Sequence, residues 1–423
     1  MRQYRIQGGN RLAGELSVGG SKNAVLPILA ALCLNESETV INNCPRIADT
    51  FVSIDILKGI GCEAEFNENT LRVDSTNIQT HVIPRGCVSK MRSSILFMGA
   101  MLAKKGKVNI SLPGGCKLGK RAIDLHISGL TAMGASIREE DKMLICRAEK
   151  LRGAHINLHT PSVGATENLM IAAARAMGET IIENAACEPE IVDLARFLKG
   201  MGAQIKGEGT GTIIIKGVDK LSSTAPHEIM PDRIVAGTYL VAAAMTQGNL
   251  TLKNVDTTDL TPISETLTAM GCTLHATKTE ISLTAPPRLK ALPLITTGAH
   301  PGFPTDMQAQ FVAATAIADG IGTIKETIFE ERYQHAHELN QMGAEIALWS
   351  NNKTFVVYGK ERLKGRAVAA HDLRGGAAMI LAGLCAEGET IVKNAEYVER
   401  GYESIERDLS HLGADIILEE CQA

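Results

Sequence analysis

Cations recur at one kind of position in this 423-residue chain, the predicted N-terminus of a helix rich in small residues. In chain order these ends read Lys22-Asn23, Arg92-Ser93-Ser94, Ser162 to Thr166, Asp232-Arg233, Thr305-Asp306 and Arg374-Gly375-Gly376. A positive side chain there opposes the helix dipole. The unpaired backbone N–H groups of the same turn already favour an anion. Lys or Arg in that place makes sense where a phosphate or carboxylate binds between several such ends. Taken singly, each also reads as a solvated surface charge, and Asp306, on its spacing alone, reads as the cap of its helix.

A second candidate is the loop Pro113-Gly114-Gly115-Cys116-Lys117-Leu118-Gly119-Lys120-Arg121. Cations near a thiol favour the thiolate, and a glycine-rich loop can close over bound anions. The plainer reading is a surface loop with a spare cysteine. Loops at related places further on carry Arg332 and Arg400.

The elements that must position these residues follow from a repeat. Leu-x-x-Met/Ile/Leu-Gly recurs with its glycine at 61, 134, 202, 271, 343 and 413, separated by 73, 68, 69, 72 and 70 residues. Each reads as a helix closed by a glycine cap and followed by a strand. Between these stand small-residue helices that end in a turn and a strand, such as Ile171 to Ile182 and Leu381 to Val392. Six units of about 70 residues predict an α/β protein of two three-unit domains, 22–230 and 231–423 with 1–21. The segment Gly207 to Thr212 reads as a hairpin turn.

Composition limits the partners. The net charge is −4 and aromatic residues make up 4%, which argues against a nucleic-acid footprint. The apolar run from Ala24 to Leu34 is too short to span a bilayer, and the start lacks a signal-peptide core. The expectation is a soluble cytoplasmic protein that binds neither membrane nor nucleic acid. The ten cysteines form no Cys-x-x-Cys pair, and the histidines at 155, 159, 335 and 337 lack a third ligand nearby in sequence, so no metal is expected.

The chain resembles the UDP-N-acetylglucosamine enolpyruvyl transferases, a family of the EPSP synthase superfamily, over essentially its whole length. The resemblance rests on Gly20 to Ala24, Met91 to Ser94, Pro113 to Cys116, Ser162 to Thr166, Pro304 to Gln308, Asp372 to Arg374 and Arg400 to Glu403. It implies two inside-out α/β barrels and transfer of the enolpyruvyl group of phosphoenolpyruvate to the 3-hydroxyl of UDP-N-acetylglucosamine. This is the first committed step toward peptidoglycan, serving cell shape and division, and it needs no cofactor or metal. Lys22, Arg121 and Arg400 would hold the donor, with Asn23 close by. Arg92, Arg332 and Arg374 would assist at the anionic cleft. Arg121, Ala122, Ile123, Asp124 and Leu125, then Thr160, Pro161, Ser162, Val163 and Gly164, and Ile328 would surround the sugar nucleotide. Asp306 would be the base, and Cys116 would be the acid on a closing lid and the site of attack by fosfomycin. The sequence departs from the family's commonest pattern at Lys117 and Ala122, which bears on lid stiffness and leaves the reacting side chains in place. The shikimate-pathway relatives should lack the Pro-Gly-Gly-Cys lid, and a non-catalytic relative should have lost one of Lys22, Cys116, Asp306 or Arg400.

Overall fold

A computed structural model describes residues 2–112 and 123–420. These fall into two units with separate apolar cores, residues 20–112 with 123–230 and residues 2–19 with 231–420.

The six longer helices of the first unit are α1 (Lys22–Ala31), α2 (Ala48–Ile60), α3 (Leu96–Lys105), α4 (Asp124–Ala132), α5 (Val163–Ala173) and α6 (Pro189–Gly200). Helices α1, α3 and α5 are apolar on nearly every side and are buried from Ala24 to Ala31, Leu96 to Leu102 and Ala165 to Ala173. A helix without a polar face must lie inside the core, and these three pack on one another. Helix α6 is amphipathic instead, with Val192, Arg196 and Lys199 outward and Ile191, Leu194 and Leu198 inward. Three sheets complete the unit. Their strand orders are His227–Glu228, Glu38–Asn42, Thr70–Asp74, Glu63–Asn67; then Lys107–Ser111, Met143–Arg147, Ser136–Glu140; then Gln204–Lys206, Thr212–Lys216, Glu179–Glu183, His155–Asn157. Alternate residues such as Val108 and Ile110 turn inward, as the two-residue period of a strand requires. The segment Gly207 to Gly211 joins two antiparallel strands, with Gly207 and Gly209 both at positive φ.

The second unit holds α7 (Arg233–Met245), α8 (Thr261–Ala269), α9 (Gln308–Ala316), α10 (Gln334–Gln341), α11 (Leu373–Cys385) and α12 (Ile405–His411). Helices α7, α9 and α11 form its buried centre. The strand Arg2–Gln7 lies in this unit, antiparallel to both Glu389–Lys393 and Asp415–Glu420. Ala13–Ser17 runs parallel to Asn249–Lys253.

The six capping glycines all adopt left-handed backbone, with φ of 108° at Gly61, 94° at Gly134, 105° at Gly202, 102° at Gly271, 92° at Gly343 and 102° at Gly413. A side chain there would be strained, so glycine is required where the chain leaves the helix for the next strand.

Candidate active site

Asp306 lies in the turn Thr305–Met307 that opens α9. It reaches across to two guanidinium groups. Arg332 Nη1 donates to Asp306 Oδ1 at 3.0 Å, and Arg374 Nη2 and Nε donate to Oδ2 at 3.1 and 3.3 Å. Charge-assisted bonds of this kind are the strong ones. The arginine side chains are only 4% and 2% exposed, so the carboxylate is what makes their burial tolerable. Asp306 thus joins two buried arginines in a clamp that its spacing alone did not suggest.

Each arginine is fixed in turn. Arg332 Nη1 also donates to the Thr305 carbonyl at 2.6 Å, and its guanidinium lies over the Phe329 ring. Thr305 Oγ1 donates to Glu326, whose other oxygen accepts from the Ile328 backbone at 2.7 Å. Ile328 is thereby held with its side chain exposed. Arg374 is the second residue of α11, and Asp372 caps that helix by accepting from the Arg374 and Gly375 amides at 2.9 and 3.0 Å. Arg374 Nη1 donates to the Tyr402 hydroxyl, which bonds Thr238 Oγ1 at 2.8 Å. Burial works against the Arg374 charge, but Asp306, Tyr402 and Asp232 outweigh it and raise its pKa above the ordinary value. Arg400 ends the turn Ala395–Arg400, two residues before Tyr402.

In the first unit, Lys22 opens α1 behind a Ser21 cap, with Asn23 next to it. Lys22 Nζ lies 3.2 Å from Asp49 Oδ2, and the two side chains are 13% and 3% exposed. Burial, with Glu190 and Glu188 beside it, pushes the Glu167 carboxyl well above the usual range, while Lys22 acts the other way. The cation at this helix end is thus paired with a carboxylate of the chain itself, that of Asp49. Arg92 opens the turn before α3, and burial lowers its pKa. Asp124 and Leu125 begin α4 directly after Ile123. The loop Thr160-Pro161 leads to Ser162, which caps α5 through the Ala165 amide, followed by Val163 and Gly164. The two stretches meet where His159 Nε2 approaches Asp124 Oδ2 at 3.5 Å. Cys116, Arg121 and Ala122 lie outside the described residues.

Two histidines gave no sequence signal as site residues. His126 accepts from Asn168 Nδ2 at its Nδ1, 2.9 Å away, and packs under Gly164, where an added Cβ would stand 3.5 Å from its ring. Burial, with Arg92 nearby, pushes its pKa down to about 4. His335 stacks on Phe355 and is 2% exposed, and neither ring nitrogen has a partner among the described residues. Burial, then Arg332 and His337 against an opposing Asp372, holds it at about 4 as well. Both histidines lie eight residues before a capping glycine, a register that could have paired them.

His335 carries a pH prediction. Its folded pKa is below the unfolded value of about 6.5, so acid charges the unfolded chain first. Stability is unaffected above pH 6.5 and is lost as pH falls from there toward 4. At pH 5 the loss is about 2 kcal/mol. His335→Phe keeps the stacking ring and sacrifices no hydrogen bond, so it should match or exceed the wild-type unfolding midpoint at pH 7 and exceed it clearly at pH 5. Equal pH dependence in the two proteins would show that His335 is not charged on unfolding.

Residues 6–409 match the model of the EPSP synthase (3-phosphoshikimate 1-carboxyvinyltransferase) family, and the chain belongs to that family. It is 48% identical over 417 residues, 99% of either chain, to UDP-N-acetylglucosamine 1-carboxyvinyltransferase 2 of Caldanaerobacter subterraneus subsp. tengcongensis. Its fold matches the enolpyruvyl transferase NikO from Streptomyces tendae, at 25% identity and a TM-score of 0.89 over 99% of this chain and 98% of that one. It also matches EPSP synthase from Acinetobacter baumannii, at 20% identity and a TM-score of 0.75 over 99% and 100% of the two chains.

Proposed function

We propose that the protein is a transferase that moves the enolpyruvyl group of phosphoenolpyruvate to the 3-hydroxyl of UDP-N-acetylglucosamine, releasing phosphate at the first committed step of peptidoglycan synthesis. The observation that carries this is the full-length likeness to a UDP-N-acetylglucosamine 1-carboxyvinyltransferase. The Pro-Gly-Gly-Cys motif at 113–116 supports it over the shikimate-pathway reaction. We assign each three-helix-pair unit to an inside-out α/β barrel of three repeats, with the enzyme working in the cytoplasm on growth and division of the wall. No described helix is long and apolar enough to cross a membrane.

In this reading Asp306 takes the proton of the sugar hydroxyl as its oxygen attacks C2 of the donor. Cys116 gives a proton to the methylene carbon, producing a tetrahedral ketal that still carries phosphate. Loss of phosphate and of a methyl proton then restores the double bond. Lys22, Arg121 and Arg400 hold the donor's phosphate and carboxylate with Asn23 beside them. Arg92, Arg332 and Arg374 stabilise charge, and Arg332 and Arg374 also orient Asp306, a role in which fixed donors excel. Arg121, Ala122 and Ile123 to Leu125, with Thr160 to Gly164 and Ile328, bind the sugar nucleotide. The test is phosphate release from phosphoenolpyruvate. It should require UDP-N-acetylglucosamine; release with shikimate 3-phosphate in its place would overturn the assignment.

A further inference from the structure

The three central helices of the first unit share a polarity. Helices α1, α3 and α5 begin near the candidate substrate residues Lys22, Arg92 and Ser162. Lys104 and Lys105 close α3, and the chain leaving α1 and α5 carries Glu36 and Arg175. A cavity of about 370 Å³ opens there, lined by Lys104, Lys105, Lys150, Arg175, Glu149 and Asp219 among others. That volume is of small-ligand size.

Cations at helix C-termini answer the helix dipole, and that accounts for part of the cluster. It does not account for the imbalance. Glu36 is shared by three cations, Lys104 and Arg175 at 3.6 Å and Lys220 at 3.5 Å. All three distances exceed the roughly 3 Å of a well-made N–H···O bond. Lys104 and Arg175 are only 12% and 18% exposed, so they give up water without gaining a close carboxylate. Asp219 is engaged by Lys150 at 3.1 Å, and its carbonyl accepts from Arg175 at 2.7 Å. Lys105 makes no ion pair among the described residues. Four cations and two carboxylates line the cavity, a surplus of two positive charges in a chain whose net charge is −4. Burial also lowers the Lys104 pKa, a cost that a bound anion would remove.

We infer that this cavity is a second anion site, separate from the candidate active site, that takes a diphosphate or a phosphorylated small molecule. Two surplus charges match a dianion, and the volume exceeds what orthophosphate alone fills. The inference does not depend on which reaction the other end performs.

The test is calorimetric titration of pyrophosphate into the full chain carrying Lys22→Met, which disables the candidate donor site. One saturable equivalent should bind, more tightly than orthophosphate. Adding Lys150→Gln and Lys105→Gln, both exposed and so without consequence for the core, should weaken binding at least about tenfold. Glu36→Gln removes the competing carboxylate and should tighten it about fivefold. The absence of saturable binding, or affinities unmoved by these charge changes, would overturn the inference.

Discussion

Asp306→Asn should lower turnover between about 100- and 10,000-fold, the range expected on removal of a positioned proton-transfer group. The amide keeps the shape and loses the base. It also changes the clamp. Arg332 Nη1 and the Arg374 pair each donate to a carboxylate oxygen in the native protein, whereas the asparagine must turn an NH₂ toward one of them. A donor facing a buried donor is costly, and stability should fall by about 3 kcal/mol. Binding of UDP-N-acetylglucosamine measured on the same sample separates the two effects. Retained binding with lost turnover identifies the base. Near-normal turnover would reduce Asp306 to a strut between two arginines.

Cys116→Ser should be nearly as severe, while Cys116→Asp should stay active with its optimum moved to lower pH. The thiol's proposed task is to deliver a proton, and an aspartic acid titrates near 3.9 whereas a serine hydroxyl is a far weaker acid. Wild type should be inactivated over time by fosfomycin, faster with sugar nucleotide bound, and the aspartate variant should resist. Among the described residues, several thiols offer little competition for the epoxide. Burial pushes the thiols of Cys62, Cys146, Cys272 and Cys385 up to about 12. A fully active serine variant would remove Cys116 from proton transfer, and inactivation of the aspartate variant would place the reactive group elsewhere.

The glycine caps were legible in the sequence because left-handed backbone at a helix end admits few other residues, and the motif around them is local. The buried helices were legible from their alanines. The helix-end cations were legible as a set, but what answers them was not. Asp49 lies 27 residues from Lys22, and Asp306 lies 68 residues from Arg374. Pairings over such separations are made by the fold and leave no periodic trace. The caps Ser21, Asp232 and Asp372 stand one or two residues ahead of those cations, each answering its own helix end. The meaning of His126 and His335 lies in burial, which a single sequence does not print.

Asn168 on α5 has a consequence for motion. Its Oδ1 accepts from the Gly99 amide of α3 at 2.9 Å, and its Nδ2 reaches both the Ile95 carbonyl and His126. A Cβ on Gly99 would stand 2.3 Å from that Oδ1 and 2.6 Å from the Asn168 carbonyl oxygen, so the two helices approach too closely for any side chain there. The Gly99 amide can therefore exchange with deuterium only when α3 and α5 part, an opening that also breaks the contacts of Asn168 with Ile95 and His126. Its exchange rate should accordingly track that of the α5 interior rather than that of the nearby turn, and the two helices should open as one cooperative unit.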